Sequence, residues 1–343
     1  MTKVLSIVVP TYNMEHLLSR CLDSFIVAEE FVNMLEVIVV NDGSKDNSLQ
    51  IASTYASNYP DTFVVIDKPN GNYGSCINAA LRIASGKYFR ICDADDLYET
   101  DNLEDYISYL KCIDSDKVYT PYKTLYVDGR VKKELRVPDW IQDDILTYED
   151  FSWNNAELLK FRAMHAMAIK TSLLRDNNYY QTEGISYTDT QFVFYSDLYS
   201  QNFSFWHRPI YNYYLGRDGQ TMSSESVIRS HQQFFMNAER LINDFIALEV
   251  PVSDSKKELL IDSITTLLTI YITTLFCYMP YSSEKFAALK NVLDRAKGSW
   301  VRSDIDERLE RLTPFRWWRK YHIHPRLIQI LVKIKYGVLS KKY

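Results

Sequence analysis

The chemistry of this chain concentrates in Asp93, Asp95 and Asp96, which close the stretch Tyr88-Phe-Arg-Ile-Cys-Asp-Ala-Asp-Asp96. A strand-like run ends abruptly in carboxylates. Such a cluster repels itself and is costly to bury unless a cation compensates it. Asp93 and Asp95 are two apart, so on an extended backbone they point to the same side. Hard oxygen donors on one face suit Mg²⁺ or Mn²⁺, ions that commonly hold phosphates. The stretch therefore predicts a metal–diphosphate site. Its plainer reading is a solvated loop feeding a helix N-terminus, where acids are favoured.

The elements that must position these acids are β-α units. Val4–Pro10, Glu36–Asn41, Phe63–Asp67 and Tyr88–Cys92 read as buried strands. Glu15–Ala28, Asp46–Tyr59 and Tyr73–Ser85 read as helices between them, with Gly86 at the position of a helix C-cap. Asp101-x-x-Glu104 resembles a capping pair that opens a further helix through Ile113. Repeated β-α units imply a parallel sheet covered by helices. From about Lys117 the pattern changes: Val118–Val127 and Arg130–Val137 flank the hairpin signal Asp128-Gly129. Beyond Ser226 the chain reads as helical, which puts a boundary near residue 225.

Ligands of an open parallel sheet bind beyond the carboxyl ends of its strands. Those ends carry Pro10-Thr-Tyr-Asn13, Asn41-Asp-Gly-Ser44, Asn70-Gly-Asn-Tyr-Gly74 and Asp93-Ala-Asp-Asp96. Each alone has a bland reading as a turn or cap, with Ser44 suited to cap the following helix. Their joint order and spacing are far more specific. A dinucleotide oxidoreductase would need G-x-G-x-x-G after the first strand, and that turn holds no glycine. The P-loop pattern is absent too, which leaves the aspartates and a metal to hold phosphate.

The same residues resemble the family 2 glycosyltransferases of the GT-A fold. Ile7–Asn13, Val39–Ser48, Asn72-Tyr-Gly74 with Asn78, and Gly86–Asp96 match that signature in order. The resemblance is strong over residues 3–110 and weaker to about 223. It implies an α/β GT-A fold, Rossmann-like, with a mostly parallel sheet flanked by helices, followed here by a helical C-terminal region. It also implies a nucleotide-binding half at 1–116, an acceptor half at 117–225, and a nucleotide-diphosphate-sugar donor. By resemblance, Pro10 and Tyr12 line the base pocket and Asp42 bonds the base, usually uracil. Asn41 stands where many members have a second Asp. Asp95 matches the direct ligand of Mn²⁺ or Mg²⁺ and Asp93 the ribose-side or second acid, while Asp96 has no clear family role.

Sugar transfer needs a base for the acceptor hydroxyl. Tyr187-Thr-Asp-Thr-Gln-Phe192 resembles the family segment in which Asp is that base, so Asp189 is the candidate, with Thr188 in place of the usual Glu. The plainer reading of Thr188-Asp189 is a helix cap; Glu183 is a poorer rival. Tyr213–Ser223 resembles a segment found after the base in bacterial members. Arg217 within it suits a diphosphate by its fork geometry, or is a solvated turn residue. His165 and His207 read as structural.

The 343 residues suffice for one large or two medium domains. Tyr is abundant at 26, as happens where sugars or bases stack and also in plain cores. Five scattered cysteines without C-x-x-C suggest neither zinc nor a disulfide framework, and a reducing cytoplasmic setting. No signal peptide is expected. Residues 263–283 carry no charge, but interrupting threonines and Pro280 point to a buried helix rather than a membrane span.

The net charge is −5, yet Phe315–Tyr343 hold eight Lys/Arg and no Asp/Glu. Leu327, Ile330, Leu331, Ile334 and Val338 form an apolar stripe in this tail. Such a basic amphipathic helix suits the inner face of an anionic membrane, or else docks on the protein itself. No nucleic-acid motif accompanies the charge.

The resulting expectation is an inverting, metal-dependent transferase moving a sugar from a UDP-sugar to a glycan, lipid-linked or glycoprotein acceptor. A nucleotidyltransferase or other nucleotide-sugar enzyme, and a non-catalytic sugar-nucleotide-binding scaffold, remain as alternatives. Oligomeric state is left open.

Overall fold

The computed structural model describes residues 2–142, 145–153, 155–215, 224–248, 252–296 and 302–336. The chain forms two compact units, Met1–Asp218 and Gly219–Tyr343.

The strands of the first unit are, in chain order, β1 (Leu5–Thr11), β2 (Leu35–Asp42), β3 (Phe63–Lys68), β4 (Tyr88–Ile91), β5 (Leu97–Tyr98), β6 (Lys117–Tyr119), β7 (Tyr122–Tyr126), β8 (Val131–Glu134), β9 (Leu146–Thr147), β10 (Met167–Lys170), β11 (Asn202–Phe205) and β12 (Tyr211–Leu215). Eight of them make one sheet in the order β3-β2-β1-β4-β10-β6-β11-β9. The first four are parallel, and β10 then runs antiparallel to β4 and β6. β1 and β2 are buried almost throughout, as continuous Val/Ile runs are in a sheet covered on both faces. Ile7 pairs with Val37 and Thr11 with Asn41, and Asn41 pairs in turn with Asp67. The carboxyl ends of β1, β2 and β3 therefore reach one edge together.

A smaller sheet runs β5-β12-β7-β8. β5 starts directly after Asp96, so the acidic loop is the joint between the two sheets. The expected hairpin forms around Gly129, at φ +85°. The single expected strand before it is divided: Thr120 and Pro121 separate β6 from β7, and the two halves join different sheets.

Several local expectations change. The helix expected over Glu15–Ala28 is confined to Leu18–Asp23. Its expected start is occupied otherwise, because the Glu15 amide bonds Asp46 and the Glu15 carboxylate takes the Asn47 amide. Gly86 is not a helix cap, since the preceding helix, Asn72–Ile83, already ends in extended backbone at Ala84. A Cβ on Gly86 would lie 2.4 Å from the Ser6 amide nitrogen, so this glycine lets β1 and the entry to β4 close on each other. Glu104 makes no capping box; it accepts a bond from the Ala28 amide at 2.9 Å.

In the second unit the helices Ser224–Arg229, His231–Ile246, Asp254–Cys277, Ser283–Arg295, Arg302–Leu309, Thr313–Arg319 and Pro325–Tyr336 follow one another. Asp254–Cys277 is long and apolar enough to cross a membrane, yet 72% of its apolar window is buried within the protein. Its threonines are satisfied locally: Thr265 and Thr274 hydroxyls donate to the Ile261 and Ile270 carbonyls at 2.8 Å. Ile328 and Val332 of Pro325–Tyr336 are buried, and Gln329 Nε2 donates to the Leu275 carbonyl at 2.6 Å.

Candidate active site

The loops after β1 and β2 are laced together. The Asn13 amide donates to the Ser44 hydroxyl at 3.0 Å, and Asn13 Oδ1 accepts from the Lys45 amide at 2.8 Å. Ser44 thus braces the first loop instead of capping the next helix, and Asp46 takes the Ser48 amide there. Asn13 holds φ +54° and Gly43 φ +73°, conformations that Asn and Gly accept most easily. Pro10 is half-buried and Tyr12 stands 48% exposed beside this lacing.

Asp42 ends β2 and is buried. Its Oδ1 takes an ion pair from Lys68 and a bond from the Gly71 amide at 2.9 Å. The Ser75 hydroxyl also reaches Oδ1, at 3.5 Å, and the Cys76 thiol lies beside the carboxylate. Asn41 turns away from it, donating to Asp67 at 2.7 Å.

Asp93, Asp95 and Asp96 place one ligand atom each within 4.8 Å of one another. Asp93 and Asp95 are half-buried and Asp96 is fully buried. Asp96 accepts from the Tyr211 hydroxyl at 2.7 Å and the Tyr214 amide at 2.9 Å, both on β12. The Tyr211 hydroxyl also accepts from the Asp93 amide at 3.2 Å. Burial, then the charges of Asp93 and Asp95, push the Asp96 carboxyl up to about 8, against the pull of Tyr214 and Tyr211. Clustered hard oxygens whose surroundings disfavour further negative charge fit a divalent cation. Asp93 and Asp95 present the more accessible carboxylates for it.

Asp189 is the first residue of the helix Asp189–Tyr199. Thr188, at the N-cap, makes no side-chain capping bond. The Asp189 carboxylate is open to solvent but ringed by protein. The resulting desolvation raises its pKa, opposed by the amides of Thr190 and Asp189 itself. The loop before it is pinned to the helix Asn72–Ile83. Asn78 donates to the Gln181 carbonyl at 2.8 Å and to Glu183 at 2.9 Å, and it accepts from the Gln181 amide at 2.9 Å. Gln181 Nε2 in turn bonds the Thr188 hydroxyl at 2.9 Å. Gly74 packs so tightly on this loop that a Cβ would lie 2.2 Å from the Thr182 carbonyl oxygen.

The structure therefore brings Asp42, Asp93, Asp95, Asp96 and Asp189 around one helix N-terminus, with Pro10 and Tyr12 on the neighbouring loop. Arg217 lies outside the described residues. His165 stacks on Tyr211 at 4.8 Å and on Tyr213 at 5.2 Å, and burial, followed by the charge of Arg90, lowers it to about 3. It is a neutral packing residue. His207 is exposed. Sequence reasoning missed Tyr73, whose hydroxyl donates to Asp93 Oδ1 at 2.6 Å, and Tyr211 and Tyr214. Tyr73 and Tyr214 lie inside the matched segments, but no spacing rule links them to acids so distant in sequence.

Residues 6–173 match the model of glycosyl transferase family 2. The chain is 36% identical over 95 residues to an uncharacterized glycosyltransferase of Mycoplasma pneumoniae, covering 27% of this chain and 31% of that protein. It is 36% identical over 127 residues to the chondroitin synthase of Pasteurella multocida, covering 37% and 13%. With the poly(ribitol-phosphate) beta-glucosyltransferase of Bacillus spizizenii it shares 27% identity over 300 residues, covering 87% and 44%. The matches thus span less than half the length of these relatives. Among solved structures, S. aureus TarS 1-349 in complex with UDP-GlcNAc superposes with a TM-score of 0.69 at 21% identity, covering 97% of this chain and 92% of that one. The fold is the GT-A α/β fold with a helical C-terminal region, and residues 6–173 carry a glycosyl transferase family 2 domain.

Proposed function

We propose that this chain is an inverting glycosyltransferase that moves a sugar from a UDP-sugar to a hydroxyl of a glycan, lipid-linked or protein-linked acceptor. The observation that carries the reading is the gathering of Asp42, the Asp93–Asp96 cluster and Asp189 around the N-terminus of Asn72–Ile83. We assign the nucleotide-binding half to 1–116 and the acceptor half to 117–225. Asp42 would accept a bond from uracil, with Pro10 and Tyr12 beside the ring. Asp95 and Asp93 would hold Mn²⁺ or Mg²⁺. Such a cation, when bound, offsets the charge that develops on the departing diphosphate.

Asp189 would take the proton of the acceptor hydroxyl as its oxygen attacks the anomeric carbon. The bond from that carbon to the diphosphate oxygen breaks, its electron pair leaving with UDP. One displacement from the opposite face inverts the anomeric centre. The raised pKa of Asp189 favours proton acceptance at the moment of attack. UDP-GlcNAc in a structure of the same fold supports the donor class, and the named polymer-related enzymes among the relatives support a glycan acceptor.

The test is a screen of UDP-sugars for UDP release with glycan product, run with Mn²⁺ and with chelator. Asp189→Asn is expected to lose at least about 100-fold in transfer while keeping UDP binding. Normal transfer by this variant removes Asp189 as base. UDP release without any glycosylated product would favour a nucleotide-handling enzyme.

The basic segment from Phe315 is proposed to rest on an anionic membrane, on the cytoplasmic side. Leu327, Ile330, Leu331 and Ile334 are 50%, 49%, 39% and 69% exposed, while Arg326 is exposed nearby and Ile328 and Val332 face inward. An exposed apolar stripe with Lys/Arg around it suits lipid headgroups and acyl chains together. Flotation with phosphatidylglycerol vesicles, but not with phosphatidylcholine alone, is expected; a charge at Ile330 and Ile334 (I330E, I334E) should abolish it. Equal flotation of that variant would sink the idea.

A further inference from the structure

The segment Asn70–Gly74 touches Asp42, Asp93 and the loop that leads to Asp189. Asn70 Nδ2 donates to the Asp42 carbonyl at 2.9 Å, and the Gly71 amide donates to Asp42 Oδ1 at 2.9 Å. The Gly71 carbonyl accepts from the Gly184 amide at 2.9 Å, and Gly74 packs on Thr182, both in the loop that leads to Asp189. Tyr73 completes the set: its hydroxyl donates to Asp93 Oδ1 at 2.6 Å and lies 3.4 Å from the Met164 sulfur. The backbone turn that permits this is held by Asn72 at φ +64°.

A tyrosine hydroxyl has one proton to give. Between a carboxylate and a thioether, the carboxylate takes it, and the short distance marks a charge-assisted bond. Burial, then the charge of Asp93 and after it the charge of Asp189, raise the Tyr73 pKa well above its ordinary value. The 2.6 Å contact to a carboxylate oxygen, which can only accept, makes the hydroxyl the donor.

We propose that Tyr73 is a positioning residue that turns Asp93 Oδ1 away from the cation, so that Asp93 offers a single oxygen to it. The inference rests on the reading of Asp93 and Asp95 as cation ligands. Without the hydroxyl, Asp93 Oδ1 loses a charge-assisted donor, and the carboxylate that would face the cation changes in orientation and basicity. Partners of this kind, one step removed from a metal, commonly change metal affinity by about 10–100-fold when removed.

The test uses the full chain with saturating UDP and titrates Mn²⁺, reading free Mn²⁺ by electron paramagnetic resonance. Tyr73→Phe keeps the ring against Met164 and removes only the hydroxyl. Its expected result is a dissociation constant for Mn²⁺ shifted about tenfold, with UDP affinity in chelator unchanged. Turnover at saturating Mn²⁺ should then approach that of the parent, which a mere packing defect would not allow. Asp95→Ala is the control and should lose Mn²⁺ binding. If Asp95→Ala loses Mn²⁺ while Tyr73→Phe titrates like the parent, the inference on Tyr73 is overturned and the metal reading stands. If the parent itself takes up no Mn²⁺ with UDP, the metal reading fails and Tyr73 falls with it.

Discussion

Asp96 and Asp197 are both fully buried in the first unit, and their surroundings treat them in opposite ways. Asp197 receives an ion pair from buried Lys117, a forked contact from Arg162 with Nη2 at 2.8 Å, and a bond from the Tyr119 hydroxyl at 3.1 Å. Burial alone would raise its pKa, but Lys117 and Arg162 hold it below the usual carboxylate range. Asp96 is held by the hydroxyl of Tyr211 and the amide of Tyr214, next to two other acids, and is pushed up to about 8. One carboxylate has its positive charge built into the chain. The other sits where the chain's surroundings still favour the neutral form, which is the condition under which an external cation gains most.

The largest effect that would test this contrast is at Asp197. Asp197→Ala leaves Lys117 and Arg162 buried without that carboxylate, and about 3–5 kcal/mol of stability should be lost, read from the urea midpoint. A loss under about 1 kcal/mol would mean that the ion cluster is not the brace described above.

The two acids should also carry opposite pH signs. With its pKa lowered, Asp197 lends stability that is present above the ordinary carboxylate pKa and disappears as pH falls. With its pKa raised, Asp96 lends stability that is complete below about pH 4 and is lost as pH rises toward about 8. In chelator at pH 8, Asp96→Asn, which imitates the protonated acid, should therefore be more stable than the parent. The gain should be about 1 kcal/mol or more, roughly 2–4 °C for a unit of this size. Mn²⁺ should raise the parent's Tm more at pH 8 than at pH 5 and narrow the gap to the variant. A variant less stable than the parent under both conditions would show that Asp96 is an ordinary buried acceptor.

The contrast was only partly legible in the sequence. The strand-end motifs could be read because each is local: a run of Val and Ile, then a turn, then a polar tip. Asp42, Asp93 and Asp95 are read that way, and Asp189 from the resemblance of Tyr187–Phe192 to a family segment. The role of Asp96 could not be found, because its partners lie on β12, more than a hundred residues on, in a second sheet with no local signature. Asp197 was invisible for the same reason: Lys117 and Arg162 reach it only after β6 and the segment before β10 have packed. Ser44 shows the converse failure. Its local pattern fits a helix cap, and a tertiary contact to Asn13 outbids it. The division at Thr120–Pro121 was missed because apolar alternation continues across it, while Pro121 removes one backbone donor.

The helix Asp254–Cys277 has a further consequence for how the chain is made. It is apolar enough for a membrane, and part of its cover, Ile328, Gln329 and Val332, comes much later in the chain. During synthesis, therefore, this helix emerges with a greasy flank open while the segment that closes it is still unmade. That interval exposes the nascent chain to chaperones, to aggregation and to the membrane itself. A ribosome stall before Pro325, or a frameshift there, would leave a chain whose catalytic unit is complete in sequence and whose second unit displays a surface suited to lipid.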